Sequence, residues 1–149
     1  MKLAEALQER SDLNRRIQQL RARLLDNALV QEGEQTAEDP AALMAEYDAA
    51  SAALEEITAK INLANCKTVV DGKSLTELIA RRDALTQRLK TYRDLVQAAS
   101  RPYQRAARSE IKILSAVDVK ELQKRADRTA KELRLLDNTI QQTNWTAEL

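Results

Sequence analysis

Residues 40–64, "PAALMAEYDAASAALEEITAKINLA", carry one unbroken pattern. Leu43, Tyr47, Ala50, Leu54, Ile57, Ile61 and Ala64 follow one another at steps of four and three. The repeat averages 3.5 residues, so one stripe of a helix keeps facing a partner helix along its whole length. Asp39 stands just before Pro40, an N-cap acceptor followed by a residue whose φ is already helical. This stretch predicts a long amphipathic helix over 40–64.

The same seam recurs on both sides. Val119, Leu122, Ala126, Thr129, Leu133, Leu136 and Ile140 predict a helix over 118–143, opened by Asp118 with Glu121 three residues on. Leu75, Leu78, Leu85, Leu89, Tyr92, Val96 and Ala99 predict one over 75–99, with Ser74 and Glu77 as a capping box. Leu3, Ala6, Leu13, Ile17, Leu20 and Leu24 predict one over 2–30. At 1.5 Å per residue each helix is about 35 to 45 Å long. The expectation is an all-α fold, an elongated antiparallel four-helix bundle with long coiled-coil-like helices, forming a single domain over residues 1–149. The seams are rich in Leu and Ala, and aromatic residues make up only 3% of the chain. So thin a core predicts that a further copy covers the apolar surface left over, giving a homo-oligomer, dimer or higher.

Arg82 interrupts the third seam and Arg10 the first. A long side chain reaching out to water at a bundle end explains either one; an ion pair that fixes register is the sharper alternative.

Composition removes most catalytic chemistry. There is no histidine, hence no imidazole base and no His-activated nucleophile. Two glycines, Gly33 and Gly72, cannot build a phosphate-cradling loop. One cysteine, Cys66, cannot close a disulfide within the chain and is expected to be a small buried residue at a helix end. Asp71, Thr76 and Glu77 offer oxygen ligands but lack the EF-hand spacing. No enzyme activity, cofactor or metal is therefore expected. Charged residues make up 32% of the chain and the mean hydropathy is −0.52. With no apolar span and no leader-like N-terminus, a cytoplasmic protein without membrane contact is expected.

The net charge of +1 is unevenly spread. Residues 32–64 hold eight acidic side chains and one basic, a net of −7. Residues 65–99 then carry +3 and residues 100–117 another +3.

Two connections stand apart. In "NLANCKTVVDGKS" (62–74), Asp71-Gly72 is a tight-turn dipeptide after the β-branched run Thr68-Val69-Val70. In "RPYQRAARSEIKIL" (101–114), Pro102 ends the preceding helix, and Glu110 to Ile113 alternates as an edge strand does. The two runs predict a minor two-stranded β element, Thr68–Val70 pairing with Ile111–Leu114. Arg101, Arg105, Arg108 and Lys112 are spaced four, three and four, with Tyr103 among them. These residues are expected to answer the acidic second helix, in the same chain or another. The alternative is a nucleic-acid-binding accessory protein using residues 101–112, although +3 neutralises few phosphates. Trp145, in "NWTAEL", is expected to dock on a bundle end or a neighbouring subunit.

Laid out whole, the chain resembles the small septicolysin-like bacterial family. The resemblance rests on "KLAEALQERSDLNRRIQQLRARLLDNALVQEGE", "DGKSLTELIARRDAL", "RSEIK", "VDVKELQK" and "NWTAEL". In that family's pattern Tyr and Ser precede Arg-Ser-Glu-Ile-Lys, whereas Ala106 and Ala107 precede Arg108 here. The family name implies a haemolysin. A secreted pore-former needs an export signal and a membrane-inserting segment, and neither is written in these residues. The expected function is that of a non-enzymatic, self-assembling helical scaffold.

Overall fold

The computed structural model describes residues 1–100 and 111–149. Its fold is all-α, with four helices among the described residues: α1 (Leu3–Asp26), α2 (Pro40–Lys67), α3 (Leu75–Ala99) and α4 (Val119–Thr146). Strands β1 (Val69–Val70) and β2 (Lys73–Ser74) form a two-stranded antiparallel sheet in the connection between α2 and α3. The chain divides into two compact units, Met1–Ser74 with Thr143–Leu149, and Leu75–Gln142.

In the first unit α1 and α2 run antiparallel. Arg16 pairs with Glu46 and Arg23 with Glu38, so a step up α1 moves the partner back toward the start of α2. Between them Ile17, Leu20, Leu43 and Ala50 are buried, with Leu24, Tyr47 and Leu54 packed against the cluster. This is the α2 seam read above meeting the α1 seam. Asp39 caps α2 as its position predicts, its carboxylate accepting the Ala41 N–H at 3.1 Å.

The last residues of the chain join this unit through backbone. The Leu3 N–H donates to the Ala147 carbonyl at 2.9 Å and the Leu149 N–H to the Met1 carbonyl at 3.1 Å. Lys2 and Glu148 face one another in an antiparallel bridge, and the Lys2 ammonium donates to the Glu148 carboxylate at 2.7 Å.

In the second unit α3 buries Leu75, Leu78, Leu85 and Leu89, and α4 buries Leu122, Ala126, Thr129 and Ile140. Asp118 caps α4, accepting the Glu121 N–H at 3.1 Å. Arg81 of α3 pairs with Glu132 of α4.

Several expectations need correction. The first helix stops at Asp26, not Val30, because Asn27 ends it with its own side chain. Its amide Nδ2 donates back to the Arg23 carbonyl at 2.9 Å, and its Oδ1 accepts the Glu38 N–H at 3.0 Å. Beyond that cap Leu29 is 91% exposed. The second and fourth helices each run three residues further than expected, to Lys67 and Thr146.

The β element is present with a different partner. Val69 pairs with Ser74 and Val70 with Lys73, closed by the two-residue loop Asp71-Gly72. Both loop residues have positive φ, +50° and +78°, the geometry that a right-twisted hairpin favours. Local closure over two residues costs far less chain entropy than reaching a segment forty residues away. Residues 111–114 form no strand. Cys66, expected to be buried, is exposed in the last turn of α2.

Candidate interaction surface

The charged residues of the first unit answer one another. Arg15 pairs with Asp12, Arg16 with Glu46 at 3.5 Å, and Arg23 with Glu38, while Lys60 holds Glu56 at 2.6 Å along α2. The Arg23 guanidinium, hydrogen-bonded to Glu38, holds that carboxyl below its ordinary value and is itself raised. Lys60 lowers Glu56 and Lys2 lowers Glu148 in the same way. Three of the eight acidic side chains at 32–64, Glu38, Glu46 and Glu56, are thus paired, by α1 and by α2 itself. Asp48 and Glu55, both exposed, carry no ion pair among the described residues.

The second unit differs. An open groove runs between α3 and α4, with Arg82, Thr86, Leu89 and Arg93 on one side and Ala130, Leu133, Arg134 and Asp137 on the other. Arg82, the residue that interrupts the α3 seam, is half-buried and among the described residues pairs with its neighbour Asp83, at 2.9 Å. It is therefore a side chain reaching the surface, not a buried register-setting pair. Arg93 and Arg134 are exposed and have no carboxylate partner among the described residues.

Residues 111–117 of the same unit form an apolar run. Ile111 and Leu114 are 77% and 78% exposed, Ile113 and Val117 about half as much, and Lys112 stands exposed among them. Arg101, Tyr103, Arg105 and Arg108, expected to answer the acidic helix, lie outside the described residues. Trp145 is 65% exposed on the last turn of α4, so it does not cover the end of its own chain. That docking is done by the Ala147–Leu149 backbone, a role that carries no side-chain signature.

Among the described residues no three His, Cys, Asp or Glu side chains converge as a metal-holding group. Among them, too, no helix is long and apolar enough to cross a membrane.

These features define an all-α chain whose described chemistry lies in exposed arginines and exposed aliphatics. Residues 10–149 match the Family of unknown function (DUF6847), and the chain belongs to that family. It is similar to a functionally unknown conserved protein from Corynebacterium diphtheriae, known from its crystal structure. The two share 39% identity with a TM-score of 0.94, over 100% of this chain and 98% of the other. No curated protein matches.

Proposed function

We propose that this chain is a non-enzymatic helical protein that works by association, with a second copy of itself as its first partner. The observation carrying this reading is the run Ile111, Ile113, Leu114 and Val117, four large aliphatics exposed within seven residues. Contiguous exposed apolar surface of this kind marks an interaction site on a soluble chain. Covering the run on two chains contributes on the order of 10 kcal/mol at 1.5–3 kcal/mol per fully buried side chain. That is comparable with the association cost of about 4–15 kcal/mol, so the run alone supports only a weak contact, and further contacts must add to it for a stable dimer.

The absence of histidine and of a glycine-rich loop supports a role without catalysis. The septicolysin-like kinship belongs to the same proposal and brings no chemistry with it. Nucleic-acid binding through residues 101–112 is the second reading, supported among the described residues only by exposed Lys112.

Sedimentation of Ile111→Ser/Leu114→Ser against the wild type tests the proposal. Both positions are exposed, so the variant keeps its helicity and shifts toward monomer. A variant that sediments as the wild type does would overturn the assignment of this surface. Binding to mixed DNA and RNA at two salt concentrations tests the second reading, because phosphate contacts weaken steeply with salt.

A further inference from the structure

The α3–α4 groove holds three guanidinium groups and one carboxylate over a floor that includes buried Leu89, and Arg82, one of the three, pairs with Asp83. Arg82, Thr86, Leu89 and Arg93 follow one another by four, three and four residues, so they share one face of α3 over about 16 Å. Arginine forks suit carboxylates in paired, directional hydrogen bonds. In the first unit every arginine of the comparable cleft, Arg15, Arg16 and Arg23, already has such a carboxylate. In the α3–α4 groove Arg93 and Arg134 have none among the described residues.

The matching face is in the chain itself. Met44, Asp48, Ser51 and Glu55 of α2 repeat the spacing of four, three and four, and therefore the same length of about 16 Å. All four are exposed. The face carries two carboxylates, and the groove two guanidinium groups, Arg93 and Arg134, that have none among the described residues. Ser51 and Ala52, between the two carboxylates, are small enough to let the backbone come close. Met44 supplies an apolar side chain for the floor.

We propose that the groove between α3 and α4 receives the acidic face of α2, centred on Asp48 and Glu55, from a second copy of this chain. This rests on the self-association proposed above and names its electrostatic half. The aliphatic run contributes area, and the groove selects orientation and partner.

Charge reversal tests it. Arg93→Glu/Arg134→Glu and Asp48→Lys/Glu55→Lys change exposed side chains, and circular dichroism melting checks that each variant folds as the wild type does. Each alone should weaken association about tenfold at low salt, where surface charges are least screened. Mixing the two variants in equal amounts should restore it, because each then meets an oppositely charged face. Raised salt should weaken the wild type and strengthen either variant alone, because it screens the like charges that the reversal sets face to face. A monomeric wild type would overturn both this proposal and the self-association it rests on. Reversed variants that associate like the wild type would overturn this proposal alone. So would variants that keep their mass but lose affinity for a mixed-sequence single-stranded RNA, which would make the groove a phosphate site.

Discussion

The α1–α2 cleft and the α3–α4 groove leave different charges over. Arg15, Arg16 and Arg23 of α1 each end on a carboxylate, while Arg93 of α3 and Arg134 of α4 end on none among the described residues. The difference follows from composition. The first unit holds nine basic and fourteen acidic residues, and the second fifteen basic and nine acidic. A unit with acid in excess has carboxylates for the arginines of its cleft and leaves others over. A unit with base in excess leaves guanidinium groups facing water. Each unit thus keeps a surplus of the charge that the other lacks.

In the first unit, packing between α1 and α2 should dominate stability. Leu20 is 1% exposed in the α1–α2 core. Leu20→Ala should therefore cost about 3 kcal/mol in urea unfolding, the transfer and cavity cost for a site with little freedom to collapse. A loss below about 1 kcal/mol would remove Leu20 from the core.

Asn27 comes next. Its side chain ties the end of α1 to the residue before the α2 cap, and it is 8% exposed. Asn27→Ala should cost about 1–2 kcal/mol, since it leaves the Glu38 N–H without its acceptor. Wild-type stability in the variant would show that water replaces the contact at no cost.

Gly72 is a smaller effect. Nothing lies within 4 Å of where a Cβ would stand, so the strain of Gly72→Ala comes from its φ of +78° alone. The expected loss is about 1 kcal/mol in thermal unfolding. A neutral result would mean that the hairpin adjusts its turn.

The smallest effect is on pH dependence. The folded-state pKa of Glu38 lies below its ordinary 4.5, so Arg23–Glu38 contributes stability above that value and loses it as pH falls through the folded pKa. Both side chains are partly exposed, at 45% and 39%, which screens the pair and keeps its contribution modest. Glu38→Gln should flatten the acid limb of the stability curve below about pH 4.5 and leave neutral pH nearly unchanged. An unaltered acid limb would show that Glu38 adds nothing to it.

What could be read in the sequence is what is local. The α2 seam, the Asp39 and Asp118 caps and the Asp71-Gly72 turn each depend on residues within a few positions of one another. The end of α1 was hidden because Asn27 acts through the amide of Glu38, eleven residues on. The partner of Val69–Val70 was hidden because Lys73-Ser74 carries no strand signal, whereas Ile111–Leu114 alternates as a strand should. Of the interaction surface, Arg82 and Lys112 were visible as anomalies in pattern and charge. Arg93 and Arg134 look like ordinary helix-surface residues until α3 and α4 are set side by side. The seam of α4 likewise gives no hint that the chain's last residues bond to Met1 and Leu3, because that contact is made by backbone.

The central claim is that surfaces left unsatisfied within one chain are satisfied by another. Light scattering on the wild-type protein across the micromolar range tests it most directly. The account predicts a mass rising to at least a dimer as concentration increases, and falling back as salt is raised. A monomer mass of 16.8 kDa at every concentration and salt would contradict it.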